Sequence, residues 1–383
     1  MPPPEPILIV GLSGRALAVS ARAAGLVPVV LDAFGDLDTR EAALAWRRIP
    51  LESDWRFEPA ALLAAAAAVA PPPMPLVWGS GFERHTCLLR ELAGGRELLG
   101  CSPETVEQVK DPLLFADMCR RLGVPHPEIR LAPPADRGAW LTKRRGGAGG
   151  GHVRAFVPGQ RLAAERYLQR LVPGRPVSAL LAMGVASRCL TFSEQWHDPS
   201  RADGSRFAGA AAPAVLPEGA RKAMAAAALA VAGAFALKGL VSADFLVMAD
   251  GDFHLLEINP RPGAALEALE LAYGVPLLGL HVAACRGQPV PPLPEPAMAA
   301  ATLVVYARRP LLLPAGLAWP GWAGDRTPPP AAVPAGAPLC TVRASGPDAA
   351  AARAAVTRRR RLLLATLRGL PATEALPQAL GAR

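Results

Sequence analysis

The chain has 383 residues, of which 51% are hydrophobic and 19% charged, and a formal net charge of +9. That balance excludes an intrinsically disordered protein, and the length exceeds one ordinary core, so two or three packed domains are expected. Cys87, Cys101, Cys119, Cys189, Cys285 and Cys340 are scattered without a CxxC pair or a Cys/His cluster, which argues against a disulfide scaffold or zinc site and for reduced thiols in a cytoplasmic protein.

The opening MPPPEPILIV lacks the basic region and long apolar core of a secretory signal. Ile7 to Val10 reads as a buried strand, Gly11 to Gly14 as a tight turn, Arg15 to Ala24 as a helix and Pro28 to Asp32 as a second strand. This βαβ start resembles half of a Rossmann domain, with Asp32 where a ribose-binding acid would stand. Gly11 fits the fingerprint and Ala16 is tolerated at its third place, but Ser13 stands at the second glycine; this partial match makes NAD(P)-dependent hydride transfer the second class of hypothesis. Leu76 to Glu83, LVWGSGFE, reads as a later strand with its C-terminal loop, where ligands gather in an open α/β sheet; Ser80, Gly81 and Glu83 are candidates for a substrate pocket. Ser102 then caps a helix with Pro103 at its first position, and the helical run extends to a stop at Gly123.

Ala139 to Phe156 reads as two short strands around a loop in which every residue from Gly146 to Gly151 is glycine except Ala148. Such a run needs a reason, and close backbone approach to a ligand is one. Backbone N–H groups of Gly146, Gly147, Gly149 and Gly150 could cradle phosphate oxygens, with Lys143 as a point charge. The loop leads into a strand and lacks GxxxxGK[ST], so it is not a Walker loop. Ala223 to Leu237 is shorter than the roughly 18 to 20 residues of a membrane span and reads as a packed helix, so no membrane partner is expected.

Ser242 to Arg261, SADFLVMADGDFHLLEINPR, reads as a hairpin turning at Asp250-Gly251. A two-residue loop pairs Ala249 with Asp252, Met248 with Phe253, Leu246 with Leu255 and Asp244 with Glu257, and places Asn259 on the face of Glu257. Like charges directly opposite each other destabilise a sheet unless a cation lies between them. Oxygen ligands of this kind suit Mg²⁺, usually held by one or two carboxylates together with nucleotide phosphates. Beyond Gly287, proline-rich loops surround strands at Ala301 to Ala307 and Pro338 to Ala344, followed by a helix from about Asp348 to Arg368. Arg358 to Arg361 lie on that helix without interleaved aromatics, which favours a solvated basic face over a nucleic-acid site.

An acid on one strand, a hairpin turn, then Glu-x-Asn-x-Arg, all downstream of a lysine and a glycine-rich hairpin, resembles the ATP-grasp superfamily. The resemblance covers most of residues 1 to 285. It implies an α/β fold with a Rossmann-like domain over 1–105, a small subdomain with the glycine loop over 106–175, a large subdomain with the metal site over 176–290, and a C-terminal β-containing module over 291–383 that closes the site or mediates homodimerisation. It implies Mg²⁺ ligation by Asp244, Glu257 and Asn259, ATP contacts from Lys143 and the glycine loop, and catalytic roles for Lys143 and for Arg261, the anion-stabilising group. Family members carry a cation after Asp111, where this chain has Pro112; Lys110 is the candidate substitute. The segment Glu165 to Ser178 is similar to the hinge that recognises adenine, with Gln169 in place of an acid. The function implied is an ATP-dependent ligase joining a small-molecule carboxylate and an amine through an acyl phosphate. The GSGFE and PGRPVS segments resemble small ligases, including those of one-carbon cofactor biosynthesis. A carboxylase is the alternative within the family, and Pro112 and Gln169 leave open a regulatory protein that binds ATP without turnover.

Overall fold

The computed structural model describes residues 4–133, 138–198 and 206–370. An all-parallel sheet comes first, with strand order Ala45–Arg48, Val27–Asp32, Pro6–Gly11, Leu76–Trp78, Leu98–Leu99. Its strands are nearly continuous apolar runs because both faces are covered. Leu8, Val10, Val29, Leu31 and Trp78 pack into one core, and Ile7, Ile9, Val30 and Val77 into another with the helix Arg15–Ala23. The order reverses between Pro6–Gly11 and Leu76–Trp78, which opens a crevice at the strand ends. The two backbones meet closely there: a Cβ on Gly11 would stand 3.1 Å from the Gly79 Cα.

Asp32 departs from the expectation of a ribose-binding acid. Its Oδ2 accepts from Gly14 N at 3.1 Å and its Oδ1 from Phe34 N at 3.2 Å and Gly35 N at 2.7 Å, so it fixes two turns. The helical run after Ser102 is also not continuous. Ser102 Oγ caps the helix Pro103–Lys110, and a second helix, Pro112–Arg121, begins after Asp111, whose Oδ1 accepts from Leu113 N and Leu114 N at 2.9 and 3.0 Å. Pro112 disfavours helical backbone at Asp111 and suits the first position of the new helix. This local role accounts for proline where the resemblance expects a cation.

Trp140–Arg144 pairs with Arg154–Ala155 and with Arg166–Arg170, and the latter with Ile129–Arg130, in a small antiparallel sheet. An eight-stranded sheet follows, ordered Phe253–Asn259, Gly239–Val247, Arg175–Met183, Arg188–His197, Phe207–Ala212, Ala299–Tyr306, Pro338–Gly346, Ala323–Gly324. The strands after residue 291 thus continue the sheet that carries the hairpin. Met224, Ala228, Val231 and Ala232 give the helix Glu218–Ala234 one buried stripe against this sheet. The helix Ala349–Thr366, capped by Asp348, packs Ala352, Val356 and Leu363 into a third core. Its arginines are partly structural: Arg353 stacks on Trp196 and Arg359 on Trp322, at 4.6 and 5.6 Å. Among the described residues no single helix is long and apolar enough to cross a membrane.

Candidate functional site

The hairpin pairs Asp244 with Glu257, as expected, but by a different route. Met248 N donates to Asp252 O and Gly251 N to Met248 O, so the loop is Ala249 to Gly251, with Gly251 at a φ of 94°. This is the longer turn in which a type I bend is completed by a glycine at positive φ. Near the turn Val247 faces Phe253 and Phe245 faces Leu255, one residue out of the expected register. A bulge at Leu256 restores it, so that Asp244 meets Glu257 and Ser242 meets Asn259.

At this end of the hairpin the side chains form one network. Asp244 accepts from Ser178 Oγ at 2.6 Å through Oδ1 and from Asn259 Nδ2 at 2.9 Å through Oδ2. Lys110 Nζ donates to Asn259 Oδ1 at 2.8 Å and lies 3.6 Å from Glu257 Oε2. Both carboxylates retain partial access. Burial and the Glu257 charge push Asp244 above the usual carboxylate range, against the Ser178 hydrogen bond and Lys110. Burial also works against ionised Glu257, but Lys110, Lys143, His152 and Arg261 outweigh it and hold the group low. Among the described residues no group of three or more His, Cys, Asp or Glu could enclose a metal. Two accessible carboxylates and an amide oxygen, one acid raised by the other, fit instead a hard cation that takes its remaining ligands from a phosphate.

Lys143 and Gln169 project from neighbouring strands of the small sheet, Lys143 Nζ donating to Gln169 Oε1 at 3.2 Å. Gln169 is 3% exposed, buried where it was expected to bond adenine. Burial alone would lower Lys143, but Tyr167, Glu257 and Asp244 keep it above its ordinary value and therefore charged. The glycine loop corrects one expectation. A Cβ on Gly146 would fall 2.5 Å from Glu83 O, and one on Gly147 2.4 Å from the His152 ring, so the protein itself requires these two glycines. Gly149 has a φ of 69° and nothing within 4 Å of its Cβ position, so there is space beside it, while its carbonyl accepts from Phe207 N at 3.1 Å. Gly149, Gly150 and His152 line the same cavity as Lys143.

Arg261 is 9% exposed and gives its Nε to Glu83 Oε1 at 2.7 Å, while Glu83 Oε2 accepts from Gly81 N at 2.9 Å. Glu83, expected in the pocket wall, is thus a clamp joining the first sheet to the Arg261 loop. Burial opposes its ionisation, and Arg261 and Lys110 overcome that. A cavity of about 930 Å³ takes in Lys143, Gln169, Asp244, Glu257, Asn259 and Arg261, together with Ser80 from the parallel sheet. Ser178 and His152 were missed from the sequence. Ser178 lay within PGRPVS and was identifiable only as the cross-strand partner of Asp244; His152 follows the last glycine of the loop and carried no signal of its own.

Residues 109–265 match the family model described as an ATP-grasp domain, a span that contains this whole constellation apart from Ser80, Gly81 and Glu83. The chain carries an ATP-grasp domain. A comparison with curated proteins gives no sequence match. Solved structures extend the likeness over nearly the full length. The Campylobacter jejuni biotin carboxylase in complex with β,γ-ATP is 16% identical, with 91% of this chain and 89% of that one covered and a TM-score of 0.71. The Thermotoga maritima N5-carboxyaminoimidazole ribonucleotide synthetase is 16% identical, with coverages of 93% and 98% and a TM-score of 0.66. The biotin carboxylase domain of Hydrogenobacter thermophilus 2-oxoglutarate carboxylase, solved with MgADP and bicarbonate, is 11% identical, with coverages of 96% and 91% and a TM-score of 0.72. At these identities the shared feature is the ATP-grasp fold.

Proposed function

We propose that the protein is an ATP-dependent ligase that activates a carboxylate as its acyl phosphate and joins it to an amine. The observation that carries this reading is the convergence, in one cavity of about 930 Å³, of the Asp244, Glu257 and Asn259 cluster with Lys143 and Arg261. Such a volume accommodates a nucleotide and a second small molecule. Bound Mg²⁺-ATP supplies the phosphoryl group that activates the carboxylate.

The chain's own residues position and neutralise. Asp244, Glu257 and Asn259 hold the metal, with Ser178 and Lys110 fixing their orientation. Lys143 and the N–H groups of Gly149 and Gly150 meet the phosphates, and Gln169 offers adenine a neutral partner through its amide. Arg261, aimed by Glu83, stabilises the anionic charge of the acyl phosphate. The amine nitrogen then bonds to the acyl carbon, the carbon–oxygen bond to phosphate breaks, phosphate leaves, and the amine loses a proton to solvent. In this division residues 1–105 form the substrate-binding domain, and the strands after residue 291 close the far side of the cavity. A place in one-carbon cofactor biosynthesis is the finer form of the reading, supported by the GSGFE and PGRPVS segments.

The test is ATP binding by calorimetry with and without Mg²⁺ on wild type and Glu257→Gln, followed by phosphate release over paired acids and amines. Magnesium-dependent binding weakened by the substitution supports the site, and absence of ATP binding under all conditions overturns it. The likeness to biotin carboxylases favours a second reading, in which the acid is bicarbonate. Phosphate release that requires bicarbonate and no other carboxylate would select it.

A further inference from the structure

The cavity has a second end to which the proposed function assigns no residue. Its wall there includes Ser13, Arg15, Asp36, Glu267, Asp325 and Thr341. Arg15 is closed on Asp325 and Glu267, and its Nε also lies 3.5 Å from Asp38 Oδ2. Its Nε and one terminal nitrogen reach the Asp325 carboxylate at 3.0 and 2.9 Å, and both terminal nitrogens bond to Glu267. Asp38 accepts from the backbone of Asp325 and Arg326, each at 2.9 Å, and Asp32 is occupied by the turns it fixes.

Asp36 is different. It is 3% exposed, it lines the cavity, and its Oδ2 has no hydrogen-bond partner. A buried carboxylate oxygen without a donor is unfavourable, and an ionised one more so. The groups that act on it are Asp325 from the C-terminal strands, Asp32 from the parallel sheet, Asp38 from its own helix, and Arg15; beyond them Arg326 lies 3.8 Å from Asp38 and Arg343 3.4 Å from Glu267. Burial and these three acids push Asp36 up to about 9, so the ligand-free protein keeps it protonated at neutral pH. A hydroxyl ligand would supply a donor and leave the excess of acid in place. A ligand ammonium supplies both a donor and the missing charge.

We propose that this end of the cavity binds a protonated primary amine of the substrate, with Asp36 Oδ2 as its principal acceptor. Describing that amine as part of a ligase substrate rests on the proposed function; the binding site itself does not. On binding, the Asp36 carboxyl gives one proton to solvent and the resulting carboxylate pairs with the ammonium.

The experiment uses the full chain and four probes: ethylamine, 1,4-diaminobutane, L-alanine, and uncharged acetamide. Ligand-observed saturation-transfer NMR reads binding, and calorimetry at pH 7.5 in two buffers of different ionisation enthalpy reads proton release. Amine binding to wild type is expected to weaken at least about tenfold in Asp36→Asn, the loss of one charge-assisted hydrogen bond, and proton release should vanish. Asp36→Ser is the second variant should the first fold poorly. Acetamide binding as well as ethylamine, equal amine binding by the variants, or no amine binding by a wild type that still binds Mg²⁺-ATP would each overturn the proposal. Amine binding without any ATP binding would instead uphold this site and sink the ligase reading alone.

Discussion

At the hairpin end of the cavity Asp244 and Glu257 are faced by Lys110, Lys143 and Arg261, whereas at the far end Asp325 and Glu267 are closed on Arg15 and Asp36 Oδ2 has no hydrogen-bond partner. The residue types are the same and the electrostatic outcome is opposite. Around the hairpin, cations keep Glu257 ionised and hold the carboxylate oxygens ready for a hard metal and the phosphates that accompany it. At Asp36 burial and the charges of Asp325, Asp32 and Asp38 outweigh Arg15, and the group stays neutral until a positively charged ligand arrives. The sign of the unsatisfied charge, rather than the number of acids, distinguishes a metal-nucleotide site from a site for an organic cation.

The largest effect expected from this contrast is at Glu257. Glu257→Gln should abolish the magnesium dependence of ATP binding and lower turnover by about 10²-fold or more, comparable to the upper range for disturbing a metal site. Asp36→Asn should leave ATP binding untouched in the same calorimetric series. If the two substitutions exchange these results, the assignment of the two ends is reversed.

The Glu83–Arg261 pair tests whether the first sheet contributes to chemistry at the hairpin end. Removing one partner of a buried pair leaves an uncompensated charge, so Glu83→Ala should destabilise the fold by about 3–5 kcal/mol by denaturant titration. Glu83→Gln keeps a hydrogen-bond acceptor and should fold. Its expected signature is a lower kcat with the KM for ATP unchanged, because the clamp positions Arg261 rather than holding nucleotide. An increase in ATP KM with unchanged kcat would place Glu83 among the nucleotide contacts instead.

The hairpin shows how far the sequence could be read. Asp244, Glu257 and Asn259 were legible because alternation fixes which residues share a face, and the turn was visible in Asp250-Gly251. The loop length was not, since Ala249 carries no mark that it lies in the loop rather than the strand. The bulge at Leu256 was equally silent, and because it offsets the longer loop the expected pairing survives an incorrect register near the turn. Glu83 was legible as a site candidate from its place at a strand end, but its partner Arg261 lies in the loop after Phe253–Asn259, a strand of a different sheet, and no local pattern joins them. Asp36 had no signal: its importance comes from Asp325, which the C-terminal strands bring across the crevice and which spacing along the chain cannot reveal.

Asp36 also gives the comparison a thermodynamic form. An unfolded aspartate loses its proton near pH 4, whereas folded Asp36 keeps it up to about 9. Between those limits the native state binds more protons than the unfolded chain through this group, so its contribution makes stability fall as pH rises. The slope for one fully shifted group is about 1.4 kcal/mol per pH unit. Asp36→Asn removes it, so the stability difference between variant and wild type should widen in the variant's favour from pH 5 to pH 8 in urea titrations. A constant difference across that range would mean that Asp36 is ionised and already has a partner.

The smallest effect separates the two kinds of glycine in the loop. Gly146→Ala would set a methyl group 2.5 Å from Glu83 O at a φ of 64°, so it should cost stability and disturb the backbone of the residue that holds Arg261. Gly149→Ala meets no atom, and its penalty is confined to the positive φ, roughly 1 kcal/mol. If the Gly149 N–H contacts phosphate, the added methyl should still raise the KM for ATP by a few-fold while leaving kcat at saturation near the wild-type value. Unchanged ATP affinity in a variant destabilised by that amount would show that the loop's open glycine serves the turn alone and that Lys143 and Lys110 carry the phosphate contacts at this end of the cavity.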